Sequence, residues 1–288
     1  MTIQKLAALY RYPVKGLYPE SLNEASLKVG LGVEGDRAFA FQFMDDAEPA
    51  ELRMLPAESA PWIFKSHLLV QHDWPDLSRV QGFWDAKTHC LRLAIRDTLA
   101  HPLSPQSALK EISECVDDSH GRARLAAFMN EFLKDKIPFS LARHPANSPL
   151  RLVGSSTLST LYTDSLKGPV SIGLRESIRD LETSYGFSVD ERRFRLNFYL
   201  EGAPAWSELD WKGRTLRIGK CLLKVIKPIG RCPNIDVDPE SGERLNEIFP
   251  TLRQKYGHSF TGIRADVIKG GLIKAADDWE LLTEQQVD

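Results

Sequence analysis

The chain has 288 residues, 42% of them hydrophobic and 26% charged, with a formal net charge of −2. This is the profile of a soluble globular protein with room for one large core or two modest ones. Near-neutrality excludes a global basic field for nucleic acid or an anionic membrane, so any anion site must be built locally.

The first hundred residues read mainly as β-structure. Ile3 to Tyr10 is apolar and is closed by Tyr12-Pro13 and Gly16. Leu22 to Val29 alternates as a half-buried strand does, and Gly30, Gly32 and Gly35 punctuate the loop after it. Ala38 to Met44 predicts a strand with Phe39, Phe41 and Phe43 on one face, and His89 to Ile95 alternates again. Ser107 to Val116 and Arg122 to Lys134 show helical spacing, with Gly121 between them. A short strand around Leu150–Val153 leads to Gly154-Ser-Ser-Thr-Leu, where Ser or Thr can cap a helix. Gly173 to Tyr185 suggests a further helix. Strands are then expected at Phe194–Leu200, Thr215–Ile218, Leu222–Lys227 and Gly262–Ile268, with a closing hairpin through Gly270-Gly-Leu-Ile-Lys and Trp279-Glu-Leu-Leu. The change of character places a loose boundary near residues 100–120.

No apolar run reaches membrane-spanning length, and the N-terminus shows neither a cleavage site nor a transit pattern. The four cysteines, Cys90, Cys115, Cys221 and Cys232, form no Cys-x-x-Cys pair. They read as reduced thiols of a cytoplasmic protein without an iron–sulfur centre. Dinucleotide, P-loop and zincin motifs are absent, and the seven histidines have no metal-ligand spacing.

Arg231-Cys232 stands out. An adjacent guanidinium favours a thiolate, and the pair follows a strand-like run broken by Pro228, Gly230 and Pro233. Four further clusters sit at element ends: Tyr12-Pro-Val-Lys15-Gly16, Gly35-Asp36-Arg37, Arg192-Arg193-Phe194-Arg195-Leu196-Asn197 and Ser155-Ser156-Thr157. Strand alternation would put Arg193, Arg195 and Asn197 on one face, and a helix start at Ser155 offers orphan N–H groups to an anion. Each cluster has a plainer reading as a solvated turn lysine, a local ion pair, a solvated strand face or an ordinary N-cap. Together they describe a phosphate-binding shell around one activated thiol, which suits a pterin dithiolene cofactor whose metal accepts a soft ligand.

These residues resemble MOSC-domain proteins, named for the C-terminal domain of molybdenum cofactor sulfurase. The group that includes the mitochondrial amidoxime reducing component and its bacterial relatives is the most similar. Tyr12-Pro-Val-Lys-Gly16, Gly35-Asp-Arg37, Arg193-Phe-Arg-Leu-Asn197 and Arg231-Cys232 with Val237-Asp-Pro-Glu-Ser-Gly242 carry the resemblance. It implies a β-rich α+β fold: a MOSC β-barrel over residues 106–288 packed against an N-terminal β-barrel-like domain over residues 1–105, with peripheral helices in the middle of the chain. It implies a molybdenum cofactor (Mo-molybdopterin), with Cys232 as catalytic thiolate and metal ligand. Lys15, Arg37, Arg193, Arg195, Asn197 and Arg231 would hold the pterin and phosphate, and Ser156 and Thr157 would add hydroxyl contacts. Relatives often carry an acidic pair before a tryptophan. Here the stretch is Ala205-Trp-Ser-Glu-Leu-Asp-Trp211, leaving Glu208 or Asp210 as the supporting acid.

The implied activity is reduction of N-hydroxylated or N-oxygenated small molecules. Electrons would come from a separate donor protein, ferredoxin-like or cytochrome b5-like with its reductase. A cofactor carrier or sulfurtransferase using a Cys232 persulfide is the alternative. A third reading is a β-rich binding protein for a phosphate-bearing metabolite, with Cys232 merely buried.

Overall fold

Alternation of side chains decides most of the strands. The computed structural model describes residues 4–46, 48–98, 110–139, 143–155, 161–165, 167–244 and 247–283. Within it, the strand Phe260–Lys269 buries Thr261, Ile263, Ala265 and Val267, whereas Arg264 and Asp266 point the other way and are only partly buried. This strand is near the middle of an eight-stranded sheet. The order across that sheet is Trp279–Leu282, Thr215–Ile218, Cys221–Gly230, Phe260–Lys269, Val170–Leu174, Phe198–Glu201, Lys5–Arg11 and Glu20–Leu22.

One neighbouring pair in the sheet is parallel, Val170–Leu174 beside Phe198–Glu201. Parallel neighbours need a crossover, which the helix Arg175–Tyr185 supplies. The ladder itself is open. Its two flanks nevertheless meet at the isolated bridge between Lys5 and Asp278, reinforced by Leu6 N–H donating to Asp277 O at 2.8 Å. Leu6, Ile172, Phe198, Leu223 and Ile263 belong to the apolar core of this sheet.

A second core gathers Val14, Phe39, Phe41, Trp74, Leu93 and Met129. Around it lie the paired strands Phe39–Phe43 and Leu150–Gly154, and a three-stranded sheet of Val80–Asp85, Cys90–Ile95 and Glu111–Cys115. The helix Ser119–Leu133 completes it, capped by Asp118, which accepts from the N–H groups of His120 and Gly121. From this helix Arg122 reaches back to Val116 O and Gly154 O, tying helix to strands. The β-rich α+β expectation therefore holds, and the boundary expected at 105/106 falls outside the described residues.

Three local expectations are corrected. Glu111–Cys115 is a strand, because its partly apolar alternation finds a partner in Cys90–Ile95. Local helical spacing is a weaker signal than that ladder. The segment Glu191–Phe194 is a 3-10 turn, and Arg195 has left-handed backbone (φ 53°), so the next strand starts only at Phe198. The C-terminal strands Gly271–Lys274 and Trp279–Leu282 join different sheets, pairing with Glu24–Lys28 and Thr215–Ile218. They do not form a hairpin with each other.

Gly154 is where the strand pair could most easily be broken. Its φ is 105°, and an added Cβ would lie 2.1 Å from Ala38 O. Gly154→Ala is expected to destabilise the chain by about 3 kcal/mol or more, read as a lowered denaturation midpoint.

Candidate functional site

A cavity of about 450 Å³ opens between the segments that carry the two cores. Lys15, Arg37, Lys65 and Gln71 line it from the early part of the chain, and Arg193, Arg195, Arg231, Cys232 and Arg264 from the later part. Eight basic side chains but one carboxylate, Asp164, face it among the described residues. Distant parts of the chain thus converge on Cys232.

The turn after Val14 positions Lys15, whose N–H donates to Phe39 O at 2.8 Å. Its ammonium donates to Tyr162 O at 2.9 Å and to Asp164 Oδ1 at 2.6 Å. Burial pushes the Lys15 amine down, with Asp164 opposing. Desolvation works to raise the Asp164 carboxyl, but Lys15 outweighs it and holds the group at about 2.

Tyr12 organises the neighbouring cations. It is fully buried, and the guanidinium carbons of Arg37 and Arg195 lie 4.1 and 4.6 Å from its ring centroid. Each such contact is worth about 1–2 kcal/mol when desolvated. Burial raises the phenol to about 12, so Tyr12 holds two positive charges without neutralising them. Arg37 and Arg195 both have left-handed backbone, with φ of 49° and 53°. Arg37 donates to Asp36 Oδ2 at 2.6 Å and to Arg195 O at 2.7 Å. Arg195 donates to Gln71 Oε1 at 3.2 Å, and Gln71 also accepts from Asn234 Nδ2 at 3.3 Å.

Arg231 continues the edge of Cys221–Gly230, its N–H donating to Ser259 O at 2.7 Å. Its guanidinium donates to Thr261 O and to Phe194 O. It has no carboxylate partner among the described residues, and burial brings both Arg231 and Arg195 down to about 10. Arg195, Arg231, Arg264, Lys65 and Lys227 all line the cavity without an ion pair among the described residues.

Cys232 is exposed, in extended backbone, at the head of the 3-10 turn Pro233–Asp236. Pro233 begins that turn, as its fixed φ and missing N–H allow. The expected break at Pro228 does not occur: the strand runs on to Gly230 through register shifts that absorb the proline. The thiol is therefore delivered at a strand end, against the alternative of a buried, inert cysteine.

Other expected residues sit differently. Arg193 lines the cavity, but its guanidinium is engaged by Asp238 and by Asp236 O. Asn197 is fully buried; its Oδ1 accepts from Ser171 Oγ at 2.8 Å and its Nδ2 donates to Tyr10 O at 3.2 Å. It supports Ser171, a lining residue, from behind. The left-handed turn at Arg195 is the reason, since it breaks the alternation that would have kept the three side chains on one face. Ser156 and Thr157 lie outside the described residues.

Sequence patterns had not pointed to Gln71, His72, Asp164 or Arg264. The one available signal was an arginine on the polar side of the apolar strand Phe260–Lys269. His72 is informative chemically. Its Nδ1 lies 3.1 Å from Arg244 Nη2, and a guanidinium only donates. Nδ1 is therefore the acceptor and the ring proton resides on Nε2. Burial and Arg244 both keep the imidazole below its ordinary range.

Of the two acids considered downstream, Glu208 is fully buried, accepting from Ser177 Oγ at 3.0 Å. It is not part of the cavity lining. Burial raises it to about 7 despite hydrogen bonds from Ser177 and from the backbone of Leu174 and Gly262. A carboxyl raised in the folded state stabilises most below its unfolded value of 4.5, and that stability is lost as pH rises towards about 7. The loss is about 3 kcal/mol. Glu208→Gln should flatten the pH dependence of the thermal midpoint between pH 4.5 and 7.

Comparison with known proteins places residues 160–280 in a match to the MOSC domain model. No curated protein matches the sequence. Among solved structures, YUAD protein from Bacillus subtilis is similar over 98% of both chains, at 11% identity and a TM-score of 0.45. YiiM from Geobacillus stearothermophilus is similar over 42% of this chain and 57% of that one, at 19% identity and a TM-score of 0.32. YiiM from Escherichia coli is similar over 43% and 59%, at 21% identity and a TM-score of 0.33. The matched part of this chain spans less than two thirds of either YiiM structure.

Proposed function

We propose that the cavity holds a molybdenum cofactor, since residues 160–280 match the MOSC domain model and that family is associated with molybdenum-cofactor binding. In this reading Cys232 is the protein's thiolate ligand to the metal, and the protein is a reductase of small N-oxygenated compounds supplied with electrons by a separate donor protein. The observation that carries it is the set of cavity cations without ion pairs grouped around an exposed thiol. Recessed positive charge of this kind calls for an anionic ligand.

Three features of this chain fit such a group. The basic shell suits a phosphate and a polar pterin. Cys232 is accessible as a soft donor. No cluster of three or more His, Cys, Asp or Glu side chains that could hold a metal occurs among the described residues, so a metal at Cys232 needs further ligands from a cofactor. When bound, that cofactor supplies the two-electron redox chemistry of its metal.

The residues divide the remaining work. Arg37 and Arg195, aligned on Tyr12, would bind the phosphate as paired donors, and Lys15 would add an ammonium. Arg231 spends its hydrogen bonds on backbone carbonyls and contributes charge near Cys232. Asn197 holds Ser171, and Arg193 fastens the Asp236–Asp238 segment behind the thiol. His72 offers a fixed Nε2–H to the oxygen of the substrate, oriented by Arg244. No described helix is long and apolar enough to cross a membrane.

Three experiments test this. Protein made in a cofactor-competent host should contain near-stoichiometric molybdenum and pterin. Cys232→Ser should abolish reduction of a hydroxylamine substrate and lower metal relative to pterin; full activity in that variant defeats the assignment. Metal-free protein bearing cyanide-labile sulfur on Cys232 would instead support the sulfurtransferase reading. His72→Phe should lower kcat/KM for the same substrate roughly tenfold to a hundredfold, with pterin content unchanged.

A further inference from the structure

We infer that Cys90 and Cys115 form a reversible thiol–disulfide site, separate from the Cys232 cavity and independent of the cofactor reading. The two residues are direct partners in the antiparallel ladder between Cys90–Ile95 and Glu111–Cys115. Direct partners place their side chains on the same face of the sheet.

The hydrogen-bond phase of this ladder sharpens the point. Ile95 N–H donates to Lys110 O at 2.8 Å, and Val116 N–H donates to His89 O at 3.0 Å. Hydrogen-bonded pairs alternate along an antiparallel ladder. They therefore fall at residues 89, 91, 93 and 95 of the first strand, and Cys90–Cys115 is a non-hydrogen-bonded pair. Such pairs have Cα atoms about 4.5 Å apart, with the side chains at their closest. Disulfides require Cα separations of about 4.4–6.8 Å. A non-hydrogen-bonded pair falls within that range, so the two thiols can be joined without moving the strands apart.

The pair is also reachable. Both cysteines are free and partly exposed. Leu91 and Leu93 carry the buried face of their strand, and Cys90 shares the opposite face with Arg92, which ion-pairs with Glu111 at 3.1 Å. Cys90 Sγ donates weakly to Thr88 O at 3.6 Å, so no strong partner has to be displaced. Cys221, by contrast, is fully buried.

The reaction requires an oxidant of the low-molecular-weight disulfide class. One cysteine thiolate attacks a sulfur of that disulfide, forming a mixed disulfide and releasing one small thiolate. The second cysteine, as thiolate, attacks the protein sulfur of the mixed disulfide, forming the Cys90–Cys115 bond and expelling the second small thiolate. The two cysteines lose two electrons together, the small disulfide gains them, and the two cysteine protons leave to the released thiolates. The new bond closes the chain between the two strands, immediately before the Asp118 cap of the helix Ser119–Leu133.

The test uses the full-length Cys232→Ser variant, which removes the other exposed thiol, equilibrated in glutathione buffers of graded oxidised-to-reduced ratio. The expected result is one cooperative two-electron transition. The oxidised product should weigh about 2 Da less than the dithiol, give a linked pair of peptides containing Cys90 and Cys115, and return to the dithiol with reduced glutathione. Cys90→Ser added to this background should leave Cys115 able only to take up glutathione. The inference is overturned if both cysteines remain alkylatable across the series, or if each carries its own glutathione with no linked peptide.

Discussion

The arrangement depends on keeping positive charge unneutralised at the edge of a cavity. Guanidinium groups removed from water are costly without a counter-ion, and Arg195 and Arg231 have none among the described residues. The chain offsets this with neutral partners: the ring of Tyr12, the amide of Gln71 and the carbonyls of Phe194 and Thr261. Each fixes a direction without cancelling charge. The site is thus preorganised for an anion before one arrives.

The same requirement explains how the two cores are joined. Asp238 uses one oxygen to cap the turn that follows it, accepting from the N–H groups of Glu240 and Ser241, and the other to grip Arg193. Glu240 then reaches across to Arg96 and Tyr18 from the early part of the chain, and to Arg192. The stretch Val237-Asp-Pro-Glu-Ser-Gly242 therefore works as a fastener between cores, beside the thiol it follows. Displacing it would disturb both the union of the halves and the wall behind Cys232.

Legibility in the sequence followed how local each signal was. Lys15, Arg37 and Cys232 sit where glycine or proline punctuates a strand, and the structure delivers all three to the cavity. Asn197 was misplaced because one left-handed residue resets a period of two, and Arg195 carries no local mark of that conformation. Glu111–Cys115 read as helical because its partner strand, decisive for the outcome, lies some twenty residues away. Gln71, Asp164 and His72 were hidden for a related reason. Each lies in a short polar loop without a motif, and only tertiary convergence gives it meaning.

The left-handed backbone at Arg37 and Arg195 carries a consequence of its own. A side chain at such a position is strained relative to glycine. Relaxing the fold and serving the ligand therefore favour opposite residues at these two places. Glycine would ease the main chain and erase the charge; arginine preserves the charge and leaves the main chain under tension. Evolution toward greater thermal robustness is obstructed at the cavity wall itself, and tolerance of mutation should be lowest where the peptide is least comfortable.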